Sequence, residues 1–156
     1  MKTAVIYYSY DGNCALVAEY IKNILNADLF EIKISSGKKR KGFANFFQGL
    51  LLMIKKPEIL PLSVDINAYE QLILGAPVWG GSPASPLVSF LNKTNISGKK
   101  IALFCCHGGS TGKTFDKLKA LLSGNTIIGE IGFKSPARER NLNLKEEITA
   151  WLNGLK

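Results

Sequence analysis

Runs of almost continuously apolar residues alternate along this chain with runs whose apolar positions recur every three or four residues. Residues 3–8 (TAVIYY), 28–34, 71–76 (QLILGA), 100–106 and 126–133 are short, apolar and bounded by Gly, Pro or Asn, which predicts five strands. A helix is predicted over 13–25, where Leu16, Val17, Tyr20, Ile21, Ile24 and Leu25 share one face. Further helices are predicted over 86–92, 114–122 and 144–155, the last with Ile148, Trp151, Leu152 and Leu155 on its apolar side. Strands apolar on both faces that alternate with helices predict a parallel sheet covered on both sides and joined by right-handed crossovers. The fold class is therefore α/β, doubly wound.

In such a sheet ligands sit beyond the carboxyl ends of the strands, where strand order reverses. The loops after the first, third and fourth predicted strands are the ones to read. The first is Ser9, Tyr10, Asp11, Gly12, Asn13 and Cys14, lying between strand and helix. Successive N–H groups and the positive end of a helix suit a phosphate there, with Ser9 and Asn13 as side-chain donors and Gly12 allowing close approach. A carboxylate at Asp11 would repel that phosphate unless it turns away, so Asp11 is read as a helix N-cap. In the second loop Trp79 stands between Pro77-Val78 and Gly80-Gly81-Ser82, and offers a stacking face to a planar ring. The third, CCHGGSTGKT, falls short of a nucleotide-binding P-loop. His107 occupies the place of its first glycine, and no strand ends in the Asp that would hold magnesium.

Taken in order, the loop from Ser9 to Cys14, the Pro-Val-Trp-Gly-Gly turn and the Gly-rich loop after IALFCC resemble the three FMN-binding loops of flavodoxins and flavodoxin-like reductases. The resemblance covers the whole chain apart from 35–61. It implies a single flavodoxin-like domain over 1–156, with a five-stranded sheet in the order 2-1-3-4-5 and FMN as cofactor. The phosphate would be held by the loop of Ser9, Tyr10, Asp11, Gly12, Asn13 and Cys14. The isoalloxazine would meet Pro77, Val78, Trp79, Gly80, Gly81 and Ser82, and its pyrimidine edge the backbone of His107, Gly108, Gly109 and Gly112. Family phosphate loops usually carry threonine where Asp11 and Cys14 stand, and many electron carriers place a third-loop tyrosine over the flavin that this chain lacks.

The implied function is electron transfer with a redox partner protein. The alternatives are an NAD(P)H-dependent FMN or quinone oxidoreductase using a small acceptor, and a flavin-free interaction domain. His107, the only histidine, lies beside the expected ring and is the candidate proton donor; a loop histidine without a role is the other reading.

Residues 35–61 form an insertion too long for a plain connection. Within it Phe43, Phe46, Phe47, Leu50, Leu51 and Ile54 predict an amphipathic helix over 43–55, expected to pack on its own domain rather than on a membrane. The insertion is expected to cap the flavin site, form a homodimer surface or dock a partner. Of the net charge of +8, half sits in Lys38, Lys39, Arg40 and Lys41, a run suited to an acidic redox partner, to dinucleotide phosphates or to solvent. Charge alone speaks for nucleic acid, so none is expected. At 156 residues one domain is expected, and without an apolar run of about 20 residues or a signal-like start, a cytoplasmic one. Three cysteines without ligand spacing predict neither disulfides nor a metal site, and Cys105 and Cys106 are read as core.

Overall fold

The computed structural model describes residues 1–35, 57–137 and 142–155. Its strands are β1 (Thr3–Tyr7), β2 (Asp28–Glu31), β3 (Gln71–Trp79), β4 (Ser82–Pro83), β5 (Lys100–His107) and β6 (Thr126–Lys134). Its helices are α1 (Asn13–Leu25), α2 (Ser85–Lys93), α3 (Thr114–Leu121) and α4 (Leu144–Asn153), with a single 3₁₀ turn at Ile66–Ala68. The main sheet runs β2-β1-β3-β5-β6 and every neighbouring pair is parallel. Because β4 only folds back on the end of β3, this is the 2-1-3-4-5 order expected of five parallel strands.

Side-chain alternation divides each inner strand between two cores. Ala4, Ile6, Leu72, Leu74, Ile101 and Leu103 face α2 and α3, where they meet Leu87, Phe90, Leu91 and Leu118. Val5, Ile73, Ala102, Phe104 and Cys106 face α1 and α4, against Val17, Ala18, Ile21, Ile148 and Leu152. Each fully buried Leu or Ile stabilises the fold by about 1.5–3 kcal/mol, so both faces are strongly fixed. The pattern is legible because parallel strands must be apolar on both sides. Gly75 supplies a detail the pattern does not: a Cβ there would lie 1.9 Å from Phe104 Cζ, so the ring fills the space over the glycine.

Two strands differ from expectation. The predicted strand 28–34 leaves β1 early, since β1 stops at Tyr7 and its carbonyl takes the Ile32 N–H at 2.7 Å as the last contact. Ile34 instead bridges Ile59, with Ser35 N–H donating to the Glu58 carbonyl at 2.8 Å and Leu60 N–H to that of Lys33 at 2.7 Å. The two arms of the insertion thus pair with each other beyond the carboxyl end of β2. The expected helix 43–55 and the run Lys38, Lys39, Arg40 and Lys41 lie outside the described residues.

β3 runs on past Ala76 through Pro77 to Trp79. β1 ends opposite Gly75, so Pro77 sits where β3 has lost that neighbour and its missing N–H breaks no ladder on that side. Lys and acidic residues balance among the described residues, so the +8 excess belongs to segments 36–56 and 138–141 and to Lys156. No helix among the described residues is long and apolar enough to cross a membrane.

Candidate functional site

The loops after β1, β3 and β5 meet at the carboxyl edge of the sheet. A cavity of about 180 Å³ there is lined by Tyr10, Asp11 and Asn13 from the first, Pro77, Val78 and Trp79 from the second, and Cys106, His107 and Gly108 from the third. Ser135, just after β6, completes the wall.

The first loop is held by its own polar side chains. Gly12 is the N-cap of α1 at φ 92°, so the cap position expected of Asp11 falls one residue later. The Asp11 carboxylate still serves the helix end: Oδ1 accepts the Asn13 N–H at 3.2 Å and Oδ2 accepts Asn13 Nδ2 at 2.7 Å. Ser9 Oγ accepts the Ala15 N–H at 3.2 Å and keeps its own hydrogen to donate. Asn13 is buried, and its Oδ1 accepts the Ala137 N–H at 2.8 Å, which ties this loop to the turn after β6. A Cβ at Gly12 would meet nothing within 4 Å, so the loop is open to an incoming group on that side.

Cys14 belongs to the loop by sequence, but its side chain is 1 % exposed and in hydrogen-bond contact with Cys106. Only its backbone is available to a ligand. Burial, and then that contact with Cys106, holds the Cys14 thiol well above its usual pKa. Burial also pushes Cys105 up to about 12, with Cys106 and Glu130 adding to the shift. Tyr8 rises to about 12 through burial first, then Tyr10 and Glu31; Tyr7 does so through burial, then Glu31 and Glu19.

All four groups favour their neutral form in the fold, so their contribution is complete below the unfolded value and lost as pH rises towards the folded one. The melting temperature is expected to fall between about pH 9, where unfolded thiols ionise, and about pH 12, with no matching loss from these groups below pH 9. For the same reason the native protein at pH 8 should leave Cys14 and Cys105 unlabelled by a thiol reagent until denaturant is added. Rapid labelling of either in native protein would contradict this packing.

The second loop is a tight hairpin. β4 pairs antiparallel with β3 through Val78–Pro83 and Trp79–Ser82, leaving Gly80 and Gly81 as a two-residue turn at φ 55° and 70°. Positive φ at both positions is what such a turn needs, and glycine supplies it without strain. Trp79 leaves this turn half-buried, edge-on to Tyr8 at 5.7 Å and to Tyr10 at 5.8 Å. Its other side borders a separate space of about 230 Å³ with Gly80, Ser82, Pro83 and Ser85.

The third loop locks onto the second. The Lys113 N–H donates to the Gly81 carbonyl at 2.8 Å, and a Cβ at Gly112 would fall 2.5 Å from Gly81 Cα. Gly108 and Gly109 are open instead, with nothing within 4 Å of a Cβ. The His107 ring lies against Gly132, 3.3 Å from the position of a Cβ there, and its Nδ1 is buried without a hydrogen-bond partner among the described residues.

Half of the sixteen residues singled out in the sequence therefore line one cavity: Tyr10, Asp11, Asn13, Pro77, Val78, Trp79, His107 and Gly108. Ser9, Gly12, Cys14 and Gly109 flank it in the same loops without lining it, Gly81 and Gly112 join the second loop to the third, and Gly80 and Ser82 border the separate space beside Trp79. Ser135 and Ala137 went unread, although they follow the fifth parallel strand at the same sheet edge. The rule that located the other loops applies to that one as well.

No protein-family pattern and no curated protein matches this chain. Solved structures do. A flavoprotein in complex with FMN from Lactobacillus acidophilus NCFM superposes with a TM-score of 0.71 at 27% identity, over 88% of this chain and 97% of that one. A protein assigned as a flavoprotein from Bacteroides eggerthii DSM 20697 gives 0.78 at 23% identity, over 99% and 97%. Oxidised flavodoxin 2 from Bacillus cereus gives 0.57 at 20% identity, over 98% and 99%. The strand order, the three loops at one edge and these likenesses agree: the chain has the flavodoxin-like fold.

Proposed function

We propose that this chain is an FMN-binding redox protein acting in electron transfer. The observation that carries this reading is the cavity in which the phosphate loop, the Trp79 hairpin and the Gly-rich loop converge. The residues suit FMN. The open side of Gly12 leaves room at the helix end, Trp79 offers a ring face, and the orphaned His107 Nδ1 wants a polar partner that a ligand beside it would supply. FMN, when bound, supplies the one- and two-electron chemistry.

The protein's part is to bind, orient and tune. Ser9, Gly12, Asn13 and the backbone of Cys14 would hold the phosphate. Pro77, Val78 and Trp79 would bear on the ring, with Gly80 and Gly81 forming the turn that presents Trp79, and the backbone from His107 to Gly112 would meet its pyrimidine edge. His107 is the candidate to hold or deliver a proton at a ring nitrogen.

A second reading, an NAD(P)H-dependent oxidoreductase, is favoured by the open space at Gly108 and Gly109, where a small substrate would have access. Anaerobic addition of NADPH and then NADH to FMN-loaded protein separates the two. The carrier reading predicts that the flavin band persists for minutes with either nucleotide, yet bleaches on photoreduction and recovers with a protein acceptor. Bleaching by NADPH or NADH within seconds would overturn it in favour of the reductase. Protein left colourless after FMN addition and dialysis would overturn both and point to an interaction domain.

A further inference from the structure

Resting on the FMN reading, we propose that Asp11 is a built-in anionic occupant of the phosphate loop that sets how strongly the site prefers FMN to unphosphorylated riboflavin. Its carboxylate holds two of the donors that a phosphate at this helix end needs, the Asn13 N–H at 3.2 Å and Asn13 Nδ2 at 2.7 Å. Both are charge-assisted contacts of the kind a phosphate oxygen would make. Asn13 has little freedom to serve both anions, because its Oδ1 is already fixed by the Ala137 N–H at 2.8 Å. The amide can therefore aim only its Nδ2 into the loop, and Asp11 lies on that side.

The same carboxylate lines the cavity. A phosphate dianion entering the loop meets a negative charge within a few ångströms and must displace it to reach the donors. Riboflavin, which has a hydroxyl at the corresponding end, pays neither cost. Asp11 also satisfies a first-turn N–H in the absence of ligand, so it stabilises the flavin-free protein while opposing the phosphorylated cofactor. The two effects have opposite signs in one residue.

The test is titration of the full chain with FMN and with riboflavin, followed by flavin fluorescence, for the native protein, Asp11→Asn and Asp11→Ser. Asparagine keeps one oxygen for the Asn13 N–H and removes the charge, while its NH2 cannot accept from Asn13 Nδ2, so that 2.7 Å contact is released as well. Serine keeps a smaller cap and serves as the second variant should asparagine disturb the fold. Both substitutions are expected to tighten FMN by about tenfold or more, from the loss of repulsion between close charges, and to change riboflavin by less than about twofold. The flavin-free melting temperature should fall in both. A purely structural role for Asp11 would lower stability without tightening FMN. Unchanged or weaker FMN binding in both variants, or an equal gain for the two flavins, overturns the proposal. Native protein that binds neither flavin overturns the FMN reading itself, a result distinct from either.

Discussion

Gly112→Ala is expected to lower the melting temperature by roughly 4–20 °C and to weaken FMN binding with it. Gly112 has φ 53°, where a Cβ costs an L-residue about 1–2 kcal/mol. That Cβ would also lie 2.5 Å from Gly81 Cα and 2.6 Å from the Gly81 oxygen. These are backbone atoms at the tip of a two-residue turn and have no rotamer to change. Either the Trp79 hairpin moves or the Lys113 N–H loses the Gly81 carbonyl, and overpacking of this kind costs about 1–3 kcal/mol. Together the two penalties reach about 2–5 kcal/mol, and for a domain of this size each kcal/mol is about 2–4 °C. Gly109→Ala is the control: nothing lies within 4 Å of its Cβ, and it should melt within about 2 °C of the native protein. Should Gly112→Ala melt like Gly109→Ala, the second and third loops are not locked together.

That coupling marks the boundary of what the sequence reveals. The strands of the main sheet and all four described helices are legible because their apolar positions follow periods set by local geometry, and α1 begins and ends at the expected residues. The phosphate loop and the Trp79 turn are legible because strand ends and glycines mark them. The contacts that join the loops are not. Asn13 and Ala137 are 124 residues apart, and nothing in either residue type announces the bond between them.

Gly80 and Gly81 show a different failure. The resemblance places them against the isoalloxazine, whereas in the fold their φ values of 55° and 70° are needed to make the hairpin itself. Asp11 was legible as a conflict with a phosphate, but the capping role expected of it falls formally to Gly12. Its two bonds to Asn13 appear only when the loop is folded.

Trp79→Ala is expected to weaken FMN by about 5- to 150-fold, and Trp79→Phe by less than about tenfold. Stacking a planar base on an aromatic side chain contributes about 1–3 kcal/mol as measured by truncation to alanine, and isoalloxazine is a larger ring of the same kind. Phenylalanine keeps a face for the ring and alanine does not. Trp79 also meets Tyr8 and Tyr10 edge-on, so its truncation disturbs the neighbouring phosphate loop as well and places the loss towards the upper end of that range. The chain has two tryptophans, and Trp151 packs with α1 and α4 on the other face of the sheet. Quenching of native tryptophan emission by FMN should therefore come mainly from Trp79, so Trp79→Phe should lose most of it while still binding the flavin. If Trp79→Ala binds FMN as the native protein does, the ring lies elsewhere than on this hairpin, and the convergence of the three loops has another purpose.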